Sequence, residues 1–234
     1  MGMSVNDLVL VQGMHDTKLA LRRWNEKPFS VLRPWFVLST VISVGLLAAV
    51  YVVAELTPPD ATHYVIPGVT RDATLTDYWH VLLRNSLVLA LHALACVAGF
   101  MAGSSLPLSA AHRSGLSGWV HEKAGPLAIG FVVCATLFSL GTQAFIIGGT
   151  AASLATQLGT NPAQLLLAIT PHALPELIAL FLPLAAWMIA SRRGDWHELL
   201  AATFVTLAVA VPMLLAAAAV ETWVTPQLLL DLAS

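Results

Sequence analysis

The sequence predicts an all-α integral membrane protein: a bundle of five transmembrane helices with a cytoplasmic N-terminus, an N-terminal amphipathic helix on the membrane surface and a broken fourth span. Hydrophobic residues make up 57% of the 234 residues and charged residues only 10%, whereas a soluble domain carries roughly 25% charged residues. Several apolar runs approach the length of about 20 residues that a helix needs to cross the hydrocarbon core. The lysines and arginines are concentrated in alternate connecting segments, as expected for a polytopic protein.

The first 34 residues mix apolar and basic side chains and include Pro28 and Pro34. This composition predicts a cytoplasmic or interfacial segment, 1–34, whose short amphipathic helix lies on the membrane surface. The rest of the chain, 35–234, is predicted to form one transmembrane domain, because the apolar runs leave no room for a separate soluble domain.

Five apolar segments are predicted to cross the membrane. The first contains no charged residue and, at about 1.5 Å per residue, covers the ~30 Å of hydrocarbon. A proline-rich polar loop follows it and ends in the aromatic pair Tyr78 and Trp79, which suits the headgroup level. The predicted spans are 35–54, 81–103, 126–149, 170–191 and 199–220.

The fourth apolar stretch, 165–190, is longer than one perpendicular crossing needs and is interrupted by the string TPHALPE. We therefore predict that a short interfacial piece, 165–169, precedes the true span. Thr170 is the predicted N-cap and Pro171 the first helical residue. Pro175 has no amide proton, so the carbonyl of Pro171 needs another partner.

The distribution of basic residues predicts the orientation. The face that carries the N-terminus holds nine of the eleven lysines and arginines, and Arg71 and Arg84 lie on the other face. The positive-inside rule places the N-terminus in the cytoplasm and, after five crossings, the C-terminus outside. No basic stretch with interleaved aromatic residues occurs, so nucleic acid is not an expected partner. The nine residues are Lys18, Arg22, Arg23, Lys27, Arg33, Arg113, Lys123, Arg192 and Arg193.

Polar side chains within the apolar spans are the best functional signal, because burying them in a bilayer is costly. Counting residues from the span ends places several of them at one depth, in the outer third of the membrane. His172 and Glu176 are four residues apart and share one helix face. We therefore predict an intramembrane polar cluster in which Arg84 is the counter-ion of Glu176 or Glu221. Its predicted members are Arg84, Asn85, Gln143, His172, Glu176 and Glu221.

Each of these residues also has a structural interpretation. Arg84 could simply extend to the headgroups, and the pair His172 and Glu176 could be a clasp between helices instead of a binding site. His92, predicted near the midplane, favours an interhelical hydrogen bond. Gly99 and Gly103 have the small-xxx-small spacing of close helix packing.

Three strings resemble the stage II sporulation protein M family. TPHALPELIALFLPLAAWMIA, followed by a span ending in VETWVTP, resembles its C-terminal half, and Pro171, His172 and Glu176 occupy the fixed positions of its Pro-His-Gly-x-x-Glu motif. RNSLVLALHALACVAGFMAG resembles its second span, with Asn85, Gly99 and Gly103 matching, and QAFIIG resembles its Asn-Gly-x-x-x-Gly segment. The similarity covers about residues 81–226. Ala173 replaces the motif glycine, and Gln143-Ala144 replaces Asn-Gly, so the chain is identified as a divergent member.

The resemblance implies a multi-pass protein of the bacterial cytoplasmic membrane. In endospore formers, such proteins assemble with membrane-anchored peptidoglycan-degrading partners at the septum and support engulfment, and relatives occur in bacteria that do not sporulate. The expected partners are the lipid bilayer and membrane or periplasmic proteins. Self-association into a homo-oligomer stays open.

Three functions compete at this stage. The first is a non-enzymatic scaffold for envelope or peptidoglycan-remodelling partners, because the chain has no HExxH, GxSxG or Walker string and implies no cofactor. The alternative is a transporter or permease subunit with a polar site at His172 and Glu176 open to the outside. An intramembrane metal site at His92, His172 and Glu176 ranks last, because the two histidines differ by about 15 Å in predicted depth; no metal is expected.

Overall fold

In the computed structural model of the chain, the described residues are 9–101 and 124–233, and their regular structure is helical. Gly103, Arg113 and Lys123, which the sequence analysis singled out, lie outside the described residues. Near the C-terminus, a 3-10 turn, Trp196–Glu198, and a π-helical turn, Val220–Val224, adjoin the α-helices. The helices are α1 (Val9–Glu26), α2 (Pro28–Leu56), α3 (Leu75–Phe100), α4 (Ala124–Gln157), α5 (Pro162–Arg193), α6 (Leu199–Ala219) and α7 (Thr225–Ala233).

Across residues 9–101 and 124–233, five helical segments are long and apolar enough to cross a membrane, which confirms the predicted all-α class with five spans. They extend beyond the predicted spans at nearly every end: Pro28–Leu56, Leu75–Phe100, Ile129–Gln157, Pro162–Arg193 and Trp196–Leu232. Residues 28–34, assigned from sequence to the N-terminal segment, form the first turns of α2. Pro28 stands at the start of this helix, where its missing amide proton costs nothing.

The predicted break in the fourth span is wrong, because α5 is continuous from Pro162 to Arg193. The helix begins earlier than predicted: the side chain of Asn161 accepts a hydrogen bond from the Gln164 amide at 2.9 Å, and Pro162 takes the first position. Thr170, the predicted N-cap, lies inside the helix and donates its hydroxyl to the Leu166 carbonyl at 2.7 Å. Internal prolines are tolerated in such helices because hydroxyls and neighbouring helices compensate for the lost bonds.

Helix α5 is the centre of the bundle. It packs against α2 on one side and against α3 and α6 on others, while α4 packs mainly against α2. More than half of the residues in the apolar membrane-spanning stretch of α5 are buried, whereas only 6% of those in the corresponding stretch of α4 are buried. A cluster around Trp187, Phe181 and Leu184 of α5 joins α2, α3 and the start of α6. Any polar group on the buried faces of α5 must therefore find its partner on a neighbouring helix.

Gly99 allows α3 to approach α5 closely, as its spacing predicts. A Cβ atom at this position would meet the indole of Trp187, with Cδ1 at 2.8 Å. One turn earlier, the buried Cys96 donates its thiol to the Pro183 carbonyl at 3.2 Å. Small residues of α3 thus pack closely on α5, Gly99 against the Trp187 side chain and Cys96 against the backbone at Pro183.

Helix α1 folds back onto the beginning of α6. Arg23 forms an ion pair with Glu198, and the ring of Trp24 meets that of Trp35 edge-on with centroids 5.4 Å apart. The predicted N-terminal helix is therefore present, and its position at the membrane surface stays a prediction.

Helix α4 packs against α2 through Gly148, the last residue of the QAFIIG string. A Cβ atom there would lie 2.6 Å from Val53 Cβ and 2.9 Å from the Val50 carbonyl oxygen. Because a backbone oxygen cannot swing away as a side chain does, this contact requires glycine. Gly141, two turns earlier, has open space around it.

We predict that Gly148→Leu destabilises the bundle by about 1–3 kcal/mol, the usual cost of overpacking a close contact. The matched control is Gly141→Leu, which adds the same side chain to the same helix where nothing opposes it. Thermal unfolding of the purified protein in detergent measures both variants. Equal melting temperatures for the two would contradict the close approach of α4 to α2.

Candidate functional site

The beginning of α3 is fixed by a capping box and an ion pair. Thr74 accepts from the Asp77 amide, and the Asp77 carboxylate accepts in return from the Thr74 amide at 2.9 Å. Arg71 binds the same carboxylate with both of its terminal nitrogens. This hydrogen-bonded ion pair raises the pKa of Arg71 above its ordinary value. Two turns later, α3 presents Arg84 and Asn85.

The end of the fifth span is unusual because α6 passes into the π-helical turn before α7 begins. Such turns are rare and are frequently found at functional sites. The ring of Trp223 in this turn stacks on Tyr78 of α3, with centroids 5.4 Å apart and 23° between the planes. The π-helical turn presents Glu221 to α3, and α7 begins with Thr225 beside α5.

A hydrogen bond joins His172 of α5 to Thr225 of α7. The distance from His172 Nδ1 to Thr225 Oγ1 is 2.7 Å. Both residues are buried, with 9% and 4% of their surfaces exposed. The motif histidine is therefore used to hold the helix that follows the π-helical turn.

Arg84 and Glu221 form an ion pair between α3 and the π-helical turn, with 3.8 Å between Nη2 and Oε1. The Arg84 side chain is 67% exposed and that of Glu221 26% exposed. Glu176 of α5 lies beside Glu221, Asn85 and Arg84. Five of the six predicted residues thus meet, and with Thr225 they form the group that we call the polar cluster: Arg84, Asn85, His172, Glu176, Glu221 and Thr225.

The polar cluster is not fully satisfied within the described part of the chain. Asn85 Nδ2, Glu176 Oε2 and Glu221 Oε2 are buried without a hydrogen-bond partner there. A buried polar atom without a partner costs about 1–3 kcal/mol, so each such atom calls for an explanation. The cluster also contains two carboxyl groups, those of Glu176 and Glu221, but one guanidinium, that of Arg84. The arrangement can hold a water molecule, share a proton between the two acids or take up a small cation.

Gln143 does not join the polar cluster, and its prediction is wrong. Its amide nitrogen donates to Ser139 Oγ on the same helix at 3.1 Å. Counting residues from the span ends gives depth but not the direction in which a side chain points. Helix α4 packs mainly on α2, and the hydrogen bond of Gln143 stays within α4.

Thr225 was missed by the sequence analysis, although its string VETWVTP had been noted. It follows the predicted end of the fifth span, so no depth was assigned to it. Of the two prolines that flank His172, Pro171 is exposed, and Pro175 is partly buried. Both stay within α5.

His92 lies outside the polar cluster and makes the interhelical hydrogen bond that its position favours. Its Nδ1 is 2.7 Å from the Leu180 carbonyl oxygen of α5. Because His92 and His172 have different partners, the geometry does not support a metal site that combines them. Across residues 9–101 and 124–233, no group of three or more histidine, cysteine, aspartate or glutamate residues could hold a metal ion.

The loop before α3 is attached to the bundle near the polar cluster. Gln157 of α4 accepts from the Tyr64 amide at 2.8 Å and donates to the Tyr64 carbonyl at 2.9 Å. Ser153 accepts from the Asp60 amide at 3.0 Å. Within the loop, the Thr62 amide donates to the Asp60 carboxylate at 2.7 Å and holds the pKa of Asp60 below its ordinary value.

The other end of the same loop rests on α7. Gly68 has a φ of +81°, and a Cβ atom there would lie 2.6 Å from the ring of Pro226. Only glycine fits both this backbone conformation and this contact. The loop therefore spans from α4 to α7 over the end of the bundle.

We predict that Arg84→Gln destabilises the protein and that Glu176→Gln alone does not. Removing the cation leaves two neighbouring buried carboxyl groups without a counter-charge, whereas removing Glu176 leaves the pair of Arg84 and Glu221. The double variant should recover part of the loss, with a coupling energy of about 0.5–3 kcal/mol. Thermal unfolding of the four proteins gives this coupling. If Arg84 only reaches the headgroups, its removal costs little and Glu176→Gln rescues nothing.

Comparison with known proteins identifies the family. The family model described as stage II sporulation protein M matches residues 38–226, which is most of the chain and includes every member of the polar cluster. No curated protein and no solved structure matches the chain. The chain is thus a multi-pass helical membrane protein that belongs to the stage II sporulation protein M family.

Proposed function

We propose that this chain is a non-enzymatic scaffold of the bacterial cytoplasmic membrane. It holds membrane or periplasmic proteins that remodel the envelope or its peptidoglycan. The observation that carries this proposal is the loop 57–74, which is fixed to α4 and to α7 and covers the end of the bundle next to the polar cluster.

A fixed loop is a suitable surface for a protein partner, because it loses little conformational entropy on binding. Both of its halves have anchors, at Tyr64 and at Gly68. Val65 lies between them and is 70% exposed. Val65 is therefore an accessible position on a held part of the loop, and we use it as the reporter of partner contact.

The charge distribution supports an extracytoplasmic position for this loop. Arg71 and Arg84 are the two basic residues on its side of the membrane, and the other nine are assigned to the opposite side. The positive-inside rule then places the N-terminus in the cytoplasm and loop 57–74 outside. The partner is accordingly periplasmic or has a periplasmic domain.

The polar cluster has a supporting part in this proposal. His172 with Thr225, and Arg84 with Glu221, link α5, α3 and the segment after the π-helical turn. Gly68 rests on Pro226, the residue after Thr225. These contacts therefore fix the surface on which the loop lies.

The test of the scaffold is site-specific photo-crosslinking in cells. A photoreactive residue at Val65 should give adducts with a protein partner. The same residue at Phe138 should not, because Phe138 is 78% exposed on the apolar surface of α4, where lipid is the expected neighbour. Glu176→Gln should leave the crosslink at Val65 intact. A cysteine at position 65, in a Cys134→Ser background, should react with a membrane-impermeant maleimide from outside.

Absence of any protein adduct at Val65, or labelling only from the cytoplasmic side, would contradict the scaffold. Loss of the partner in a folded Glu176→Gln variant would contradict the supporting part assigned to the polar cluster.

The alternative is a transporter or permease subunit, and the unsatisfied atoms of Asn85, Glu176 and Glu221 favour it. Buried polar atoms without partners are what a transient ligand would occupy. For this function we expect proteoliposomes to show proton or monovalent-cation flux that falls at least about tenfold in Glu176→Gln, a loss of about 1.4 kcal/mol in transition-state stabilisation. Flux that is unchanged in both Glu176→Gln and His172→Ala would contradict the transporter function.

A further inference from the structure

A second polar site lies at the opposite end of the bundle from the polar cluster. A cavity of about 180 Å³ opens where α2 begins, α5 ends and α6 begins. Arg193 is seventeen residues beyond Glu176 on the same helix, which is about 26 Å along its axis. The cavity is lined by these aromatic, polar and charged residues: Trp24, Ser30, Trp35, Arg193, Asp195 and Glu198.

The depth of this cavity is that of the lipid headgroups. Trp35 opens the charge-free apolar run of α2, and Arg193 closes that of α5. The cavity therefore lies where hydrocarbon gives way to water, whichever way the protein is oriented. Two tryptophans line it, and tryptophan is the residue most typical of this level of a membrane.

The walls of the cavity carry charges of both signs. Arg193 contributes a guanidinium, and Asp195 and Glu198 contribute carboxylates from the turn that follows α5. A guanidinium pairs well with phosphate oxygens, and carboxylates pair with an ammonium group. Glu198 is already paired with Arg23, so the charges of a ligand would meet Arg193 and Asp195. A ligand with only one sign of charge would be repelled by one of these two.

The rest of the cavity suits the parts of a lipid next to its headgroup. Val31, Pro34, Ala186 and Ile189 give it an apolar wall, against which a glycerol backbone and the first acyl carbons can pack. On the outer side, Arg23 of α1 binds Glu198 and keeps α1 folded over the site. The aromatic rings of Trp24 and Trp35 can also face a cationic ammonium group.

We propose that this cavity binds the headgroup of a zwitterionic phospholipid of the phosphoethanolamine type. The phosphate lies on Arg193 and the ammonium group on Asp195. The bound lipid holds α1 against the junction of α5 and α6. This site is independent of the scaffold and transporter functions proposed above.

The test uses the full chain, purified in detergent and stripped of lipid. Phosphatidylethanolamine or phosphatidylglycerol with the same acyl chains is then added, and binding is measured by native mass spectrometry and by the shift in melting temperature. We expect phosphatidylethanolamine to bind at least about tenfold more tightly. A soluble glycerophosphoethanolamine should compete weakly, because it has no acyl chains.

Matched variants locate the binding. Arg193→Gln and Asp195→Asn should each weaken phosphatidylethanolamine binding about tenfold. Arg192→Gln should leave it unchanged, because Arg192 carries the same charge in the same last turn of α5 but does not line the cavity. Asp195→Asn should not weaken the binding of phosphatidylglycerol, because its headgroup has no ammonium group.

Three results would overturn the proposal: equal binding of the two lipids, equal effects of the Arg192 and Arg193 variants, or soluble glycerophosphoethanolamine binding as tightly as the lipid. The last would show that the occupant is a free phosphoester. Native mass spectrometry counts the lipids bound to each folded variant, so a loss of folding would be recognised in the lipid-free spectrum. Asp195→Asn changes a side chain beyond Arg193, the last residue of α5, and so tests the site without altering the helix itself.

Discussion

A polar group inside an apolar helix bundle is costly unless it meets a hydrogen-bond or charged partner, and this constraint governs how the helices are placed. Helix α5 is the most buried span and still carries a histidine and a glutamate. Each must meet a partner on a neighbouring helix, because hydrocarbon cannot solvate it. The hydrogen bond from His172 to Thr225, and the position of Glu176 beside Arg84 and Asn85, are the solutions. The packing of α3 and of the C-terminal segment follows from them.

The π-helical turn makes those solutions possible. In this turn Glu221 faces α3, where it pairs with Arg84, and directly after it Thr225 faces α5, where it bonds to His172. Stacking of Trp223 on Tyr78 holds the turn at the start of α3. The turn is thus held by contacts on both sides, to α3 through Trp223 and to α5 through Thr225.

Sequence reasoning could predict what depends on one coordinate, the depth in the membrane. Hydropathy and charge identified five spans. Depth brought Asn85, His172 and Glu176 to the outer third of the membrane and Arg84 and Glu221 to the adjoining rim, and the structure places these five together. Depth does not give the direction of a side chain around its helix, so Gln143 was wrongly included. The break at Thr170 was wrong because the cap at Asn161 begins α5 earlier, and Thr225 was missed because the last helix continues beyond its predicted end.

The incomplete satisfaction of the polar cluster separates a clasp from a site. A clasp selected for stability alone would be served by one acid for one arginine, since a second buried carboxyl adds desolvation and repulsion. Glu176 adds both, and its Oε2 stays without a partner within the described residues. Stability given up at one position is the usual mark of a functional constraint. A purely structural contact does not require Glu176 to be an acid instead of its amide. Of the two functions considered, the transporter is the one that would use this charge, because a transient proton or cation can occupy the unpartnered carboxylate oxygen.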